Sequence, residues 1–239
     1  MLYLIGLGLN EKGISLEGIE ALKKCKKIYL ENYTVDFPYS VKELEKIIGK
    51  KIISADRNFV EDMKVLLEES KKGNVALLIY GSPLTATTHI SLIEEARKKK
   101  IECEIIYSAS IFDAVAETGL QIYKFGKIAS MPKWSKNYEP TSFLKIVKEN
   151  QKISSHSLIL VDIGLDLKDA IRELEESAKK EKLKMEKIVI CSRLGTRDKK
   201  IIYEDLKNLK GKEVMKPYCI IIPGKLHFVE QEVLENFNK

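Results

Sequence analysis

The stretch from Val75 to His89, VALLIYGSPLTATTH, constrains the fold of this chain more than any other. Its first six residues form an uninterrupted apolar and aromatic run, which is typical of a strand buried on both faces of a parallel sheet. Pro83 cannot donate a hydrogen bond to a neighbouring strand, and Gly81 can adopt backbone angles that are closed to other residues. We therefore predict a central parallel strand that ends in a sharp turn.

Small polar side chains follow this turn. Ser82 comes directly after the predicted strand, and Thr85 and Thr88 precede a predicted helix over 90–100. In open α/β sheets, ligands bind at the carboxyl ends of the strands, where loop amides and hydroxyls converge. The stretch therefore indicates a binding loop, although an ordinary strand-to-helix turn would use the same residue types.

The remainder of the chain repeats the alternation of strand and helix. In the first half, strands are predicted at 2–8, 28–31, 51–54, 75–80 and 102–106, with helices at 16–24, 41–48, 60–71 and 90–100. This alternation predicts a parallel, doubly wound sheet. The order is less regular in the second half, where strands are predicted at 127–131, 157–163, 187–191 and 218–222. We expect two α/β domains, 1–107 with a parallel sheet and 108–239 with a mixed sheet.

The first strand ends in a glycine pattern that resembles a nucleotide-binding motif. Gly6 and Gly8 allow close approach to the backbone, but Glu11 stands where the dinucleotide fingerprint needs its third glycine. A helix therefore cannot begin where a pyrophosphate would need its amino end. Glu31, at the end of the next predicted strand, leaves ribose binding open, so a nicotinamide or flavin enzyme remains an alternative from these residues.

Charge argues against several classes of function. The net charge is +6, and only five of the 41 basic residues are arginine. The lysines alternate with glutamates along the predicted helices, which is typical of a solvated surface rather than of a nucleic-acid reader. We expect no direct contact with nucleic acid, although a basic face could help to capture an acidic partner or one already bound to RNA.

The spacing of cysteines, apolar residues and histidines indicates in which compartment the protein works and whether it binds a metal. The four cysteines lie far apart without a C-x-x-C pair, so we expect reduced thiols in a cytoplasmic protein. No apolar run is long enough to span a membrane, and the first residues lack the pattern of a signal peptide. The three histidines show no ligand spacing, so no metal site is expected.

Five segments carry a resemblance to a known family. In chain order they are MLYLIGLGL, the loop ending in ATTH, SASIFDAVAETGLQIYKFG, SLILVDIG and PGKLHFVE. Over essentially its whole length the chain resembles the diphthine synthases, S-adenosylmethionine-dependent methyltransferases related to the tetrapyrrole methylases. The resemblance implies a homodimer whose two-domain subunits hold S-adenosylmethionine in the cleft between the domains.

The resemblance also implies a substrate. It is the 3-amino-3-carboxypropyl group attached to a histidine of translation elongation factor 2, whose amino nitrogen would be methylated repeatedly towards diphthine. Such an enzyme mainly has to align the amine with the methyl carbon, so no catalytic side chain is assigned. The cofactor contacts implied by the resemblance fall on Leu9, Ser82, Thr85, Ser110, Ile111, Val161, Leu194 and His227.

One position departs from the family pattern. Gly81-Ser82-Pro83 stands where the family usually has Gly-Asp-Pro, so a hydroxyl replaces a carboxylate. We expect this change to weaken or rearrange cofactor binding without abolishing it, because serine still accepts a hydrogen bond. Two alternatives stay open: a non-catalytic member that binds the elongation factor or a nucleotide, and a related methyltransferase with a small-molecule substrate.

Three further features have both a functional and an ordinary interpretation. Arg193 and Arg197 could grip a carboxylate of the cofactor or substrate, or they could pair with acidic groups of the surface. Trp134, flanked by lysines, could anchor a protein partner or pack on its own domain. Asp162 could orient a ligand, although holding a loop is the commoner use of such an aspartate.

Overall fold

The two halves of the chain fold as separate units with different kinds of sheet. The computed structural model describes residues 1–237. The first unit runs from Met1 to Phe112, and the second begins at Asp113. Ser110 and Ile111 therefore belong to the first unit.

The first unit is built on a parallel sheet with the strand order β3-β2-β4-β1-β5. The strands are β1 Leu2–Gly6, β2 Lys27–Glu31, β3 Ile53–Ala55, β4 Val75–Ile79 and β5 Cys103–Ile106. Every residue of β1 and β4 is buried. The predicted central parallel strand is confirmed, because β4 lies third in the order and pairs in parallel with β1 and β2.

Helices cover both faces of this sheet. They are α1 Leu16–Lys24, α2 Val41–Ile48, α3 Arg57–Asp62, α4 Lys64–Lys72 and α5 Ile90–Lys98. The short helix α6, Ile111–Ala114, crosses the boundary between the two units in the sequence. Alternate residues of β4 enter two apolar cores: Leu77 packs with residues of α4 and α5, and Leu78 with residues of α1 and α2. Burial on both faces explains why the strand carries no polar alternation.

The single helix predicted over 60–71 is wrong. Asp56 caps α3 by accepting a hydrogen bond from the Phe59 amide at 2.8 Å, so the first helix starts earlier. Met63 then adopts a left-handed backbone with φ of 59°. This conformation separates α3 from α4, because a left-handed residue cannot continue a right-handed helix.

Lys50 closes the carboxyl end of α1, and removing its ammonium is expected to destabilise the protein. Its Nζ donates to the carbonyls of Leu22, Lys23 and Cys25 at 2.7–2.9 Å. Lys50→Met is therefore expected to lower the free energy of unfolding by about 1–2 kcal/mol, measured by urea denaturation. The matched control is Lys51→Met, because Lys51 is exposed. An equal loss in both variants would contradict the capping role.

The second unit contains a mixed sheet, as predicted, with the order β6-β7-β10-β8-β9. The strands are β6 Ala129–Met131, β7 Ser157–Val161, β8 Lys187–Ser192, β9 Lys200–Asp205 and β10 Tyr218–Ile222. Strand β10 is antiparallel to both β7 and β8, whereas β6 is parallel to β7. Strand β9 was not predicted.

The second unit's principal helices are α7 Ser142–Lys152, α8 Leu167–Glu181 and α9 Phe228–Asn236. Helix α8 buries Ile171 and Leu174 in the core of the sheet. Helix α9 begins at Phe228, directly after a capping box formed by His227 and Glu230.

Candidate functional site

Three loops of the first unit converge at the carboxyl edge of its sheet. Gly8 follows β1 and Gly81 follows β4, and their backbones exchange hydrogen bonds of 3.1 and 2.9 Å. Both glycines are left-handed, with φ of 67° and 71°, which favours glycine at these positions. The two loops are therefore joined directly by their backbones.

The loop after β5 completes this arrangement. The Ser108 hydroxyl donates to the Gly13 carbonyl at 2.8 Å, which ties the third loop to the first. The Ser110 hydroxyl accepts a hydrogen bond from the Phe112 amide at 3.2 Å, at the start of α6. A side chain added to Gly81 would lie 3.8 Å from the Ser110 backbone, so the second and third loops are also neighbours.

This edge brings together most of the first unit's predicted cofactor contacts. Leu9, Ser82 and Ser110 are buried there, and Thr85 and Ile111 are half-buried. Ser82 is only 7% exposed, yet its hydroxyl makes no hydrogen bond to another residue of 1–237, and the same holds for the Thr85 hydroxyl. Both hydroxyls are therefore available to a ligand at the place where open α/β sheets bind one.

The three remaining predicted contacts lie in the second unit. Val161 ends β7 and Leu194 follows β8, so both lie at the same edge of the mixed sheet. His227 follows β10, which runs in the opposite direction, and its ring nitrogen Nδ1 accepts a hydrogen bond from the Val229 amide at 3.4 Å. Within this unit Val161 and Leu194 therefore lie at one edge of the sheet, and His227 follows a strand that ends at the opposite edge.

A buried ion pair supports the loop that carries Ser82 and Thr85. The imidazole of His89 contacts the Glu31 carboxylate through Nε2 and the Pro83 carbonyl through Nδ1 at 3.0 Å. Both partners can accept a hydrogen bond, and an imidazolium, with a hydrogen on each ring nitrogen, is the form of His89 that suits both. The Thr87 hydroxyl also donates to the Pro83 carbonyl, at 2.8 Å. His89 and Thr87 therefore hold this loop in place through the Pro83 carbonyl.

The protonation of His89 follows from its surroundings. Burial by itself lowers the pKa of His89, but hydrogen bonding and charge attraction from Glu31 raise it, and the net direction is upward. The Thr34 hydroxyl donates to the second carboxylate oxygen of Glu31. Because Glu31 is fully buried and committed to these partners, it is not presented to a ribose, and that alternative for Glu31 is wrong.

A second buried network holds the PGKLH segment of the second unit. The Glu230 carboxylate accepts hydrogen bonds from the His227 amide, the Gln121 amide, Lys124 and His156 at 2.5–3.1 Å. Burial raises the pKa of Glu230, but these hydrogen bonds outweigh it and lower the value to about 2. The Gly224 amide donates to Nδ1 of His156 at 2.9 Å, which fixes the position of this loop.

The structure also decides three features that had two interpretations. Arg193 donates to the Lys216 carbonyl at 2.9 Å, and its guanidinium lies 3.5 Å from the Asp198 carboxylate, so it is held by its own loop and by the segment before β10. Trp134 is half-buried, and its indole N–H donates to the Pro140 carbonyl at 3.3 Å, which favours packing over docking. Asp162 accepts from the Lys133 amide at 3.0 Å and acts as a loop-holding residue.

The described residues lack two kinds of feature. Within 1–237, no helix has both the length and the apolar character required to cross a membrane. In the same part of the chain, no group of three or more His, Cys, Asp or Glu side chains is arranged to hold a metal ion.

Sequence comparisons agree over nearly the whole chain. Residues 1–210 match the model of the Tetrapyrrole (Corrin/Porphyrin) Methylases. The diphthine synthase of Methanocaldococcus jannaschii is 40% identical and is aligned over 98% of each chain. The probable diphthine methyl ester synthase of Arabidopsis thaliana is 35% identical over 98% of this chain and 97% of its own. The match extends well beyond one motif.

Solved structures give the same result. A crystal structure of a diphthine synthase has a TM-score of 0.90 and 32% identity, and the alignment covers 99% of this chain and 95% of that one. A structure from Entamoeba histolytica also has a TM-score of 0.90, with 34% identity and coverage of 99% and 98%. The fold of each unit is therefore shared with these proteins.

Proposed function

The chain belongs to the diphthine synthases of the tetrapyrrole methylase family, which are S-adenosylmethionine-dependent methyltransferases, and we propose its substrate and site. The substrate is the 3-amino-3-carboxypropyl-histidine of translation elongation factor 2, methylated on its amino nitrogen. The observation that carries this proposal is the 40% identity to a diphthine synthase across 98% of both chains. The segments ATTH and SASIFDAVAETG further favour this substrate over a small molecule.

The loops of the first unit fit S-adenosylmethionine. We propose that Leu9, Ser82, Thr85, Ser110 and Ile111 hold it there, and that Val161, Leu194 and His227 also contact it. The free hydroxyls of Ser82 and Thr85 suit the cofactor's amine and hydroxyl groups, and the joined glycine turns leave backbone polar groups close at hand. When bound, the cofactor supplies a methyl group on a positively charged sulfur.

Methyl transfer from a sulfonium makes modest demands on the protein. The substrate amine must be neutral when it attacks, and its nitrogen must lie in line with the methyl carbon. Positioning of this kind can supply about 7–11 kcal/mol of barrier lowering. These loops therefore have to hold the two reactants in the correct relative position. His89 contributes by fixing the Pro83 carbonyl in the loop that carries Ser82 and Thr85.

The cellular setting follows from the same substrate. An elongation factor works in the cytoplasm, so we place the enzyme there. We also propose that it is a homodimer, as the resemblance to the family implies. The net charge of +6 is suited to meeting an acidic protein surface.

Methylation of the modified elongation factor is the direct test of this function. The purified protein and S-adenosylmethionine are incubated with elongation factor 2 carrying the 3-amino-3-carboxypropyl group, and methyl groups are counted by mass spectrometry. We expect methyl groups on the amino nitrogen. A base-labile methyl would instead identify a methyl ester, the product named for the Arabidopsis thaliana relative.

Two outcomes would contradict the proposal. Cofactor binding without methylation of the elongation factor would favour a methyltransferase with a small-molecule substrate. Absence of cofactor binding in calorimetry would favour a non-catalytic member, the alternative suggested by Ser82. Elongation factor without the 3-amino-3-carboxypropyl group is the control, and it should remain unmethylated.

A further inference from the structure

An aromatic cluster lies beside the Leu9 loop. Phe37 and Tyr39 belong to the segment after β2, and Tyr80 directly follows β4. Strands β2 and β4 are parallel neighbours, so these segments leave the sheet at the same edge. The Tyr80 hydroxyl donates to the Leu9 carbonyl at 3.1 Å, which places the cluster next to a proposed cofactor contact.

The three rings pack edge to face, and Phe37 and Tyr39 also pack against the apolar core on one face of the sheet. The Phe37 centroid lies 5.6 Å from that of Tyr39 at an interplanar angle of 84°, and 5.5 Å from that of Tyr80 at 77°. All three residues are half-buried. Aromatic faces presented at an angle to one another are the usual means of binding a quaternary ammonium group.

Two polar features of the cluster favour a cation. The Tyr39 hydroxyl is buried and has no hydrogen-bond partner among residues 1–237. Burial first, and then the charges of Tyr80 and Glu11, raise the pKa of Tyr39, so its hydroxyl keeps its proton. A positively charged nitrogen entering here would meet a hydroxyl oxygen that lacks a donor.

The chemistry of the proposed function produces such a cation. Before each transfer the ammonium loses one proton to water. The nitrogen lone pair then forms a bond to the methyl carbon while the carbon–sulfur bond breaks and its electrons remain on sulfur. Positive charge therefore moves from sulfur to nitrogen in every step. After the third transfer the nitrogen carries a permanent charge and no hydrogen.

We propose that Phe37, Tyr39 and Tyr80 form the subsite for the amino nitrogen of the substrate as it becomes a trimethylammonium group. This inference rests on the proposed function. The Tyr39 hydroxyl accepts a hydrogen bond from the nitrogen while the nitrogen still carries hydrogen. The faces of the rings stabilise the charge as methyl groups replace those hydrogens.

The two variants that test this subsite have opposite expected effects. Phe37→Leu keeps the apolar volume but removes a π face, so it is expected to slow the last N-methylation relative to the first by about 3- to 30-fold. Tyr39→Phe keeps the face and removes the hydroxyl, so it is expected to slow the first transfer by about 3- to 10-fold and to leave the last unchanged. Mono-, di- and trimethylated products are followed over time by mass spectrometry.

A control variant and two contradicting results distinguish failure of the subsite from failure of the proposed function. Tyr123→Leu, at an exposed aromatic residue of the second unit, should preserve the wild-type ratio of methylation rates. Calorimetry with S-adenosylmethionine should give the wild-type Kd for Phe37→Leu and Tyr39→Phe, which checks their folding. An active wild type with unchanged rate ratios in both variants would overturn the subsite alone. A wild type that does not methylate the factor would overturn the proposed function and this subsite with it.

Discussion

Replacing Ser82 with aspartate is expected to tighten S-adenosylmethionine binding by about tenfold to a hundredfold. Ser82 is buried at the joined loops and its hydroxyl makes no hydrogen bond within the described residues, so the hydroxyl is available to a ligand. A carboxylate in the same place would accept a charge-assisted hydrogen bond from the cofactor's amine or hydroxyl, and such bonds are roughly twice as strong as neutral ones. Calorimetric titration of both proteins measures the difference.

The control for Ser82→Asp adds the same charge elsewhere. Ser142→Asp lies at the exposed start of α7 in the second unit, and it is expected to leave the Kd unchanged. Equal tightening by both variants would show a general effect of charge. Weaker binding by Ser82→Asp would show that the carboxylate is buried without a donor, and it would remove Ser82 from the proposed set of contacts.

The fold was predictable wherever burial requires a recognisable pattern of apolar residues in the sequence. Strand β4 is buried on both faces, and its apolar run therefore predicted both its type and its central place. The helix break at Met63 has no such pattern. A left-handed residue at a helix end is usually glycine or asparagine, and here it is a methionine. Strand β9 is an edge strand whose existence depends on pairing with β8, which is a tertiary contact.

The candidate site was predictable only in part. Convergence of the loops with Gly8 and Gly81 follows from the parallel sheet, whereas the choice of Leu9 or Ser110 came from the family resemblance. The pairing of Glu31 with His89 could not be predicted, because it requires β2 to lie beside β4. The aromatic cluster does have a signal in the sequence, FPY between two predicted elements, but its partner Tyr80 lies within the apolar run that predicts the core strand at 75–80.

Breaking the Glu31–His89 pair is expected to have the largest effect on stability. Glu31→Gln preserves the shape of the side chain but removes the negative charge that faces a buried imidazolium. Loss of one member of a buried pair typically costs about 3–5 kcal/mol, because the remaining charge is left without compensation. We therefore expect a lower free energy of unfolding at pH 6, measured by urea denaturation, and a weaker affinity for S-adenosylmethionine because the Pro83 loop loses its support.

The pH dependence separates this pair from ordinary packing. The folded-state pKa of His89 is raised, so its contribution to stability is complete below the unfolded value of about 6.5. It is lost as pH rises from that value through the folded pKa, because the unfolded chain releases the proton first. The difference in free energy of unfolding between wild type and Glu31→Gln should therefore become smaller from pH 6 towards pH 9. Glu94→Gln, which breaks an exposed pair with Arg97, should change stability by less than about 0.5 kcal/mol. If the difference in free energy of unfolding between wild type and Glu31→Gln stays constant with pH, Glu31 acts by packing and His89 is neutral in the folded protein.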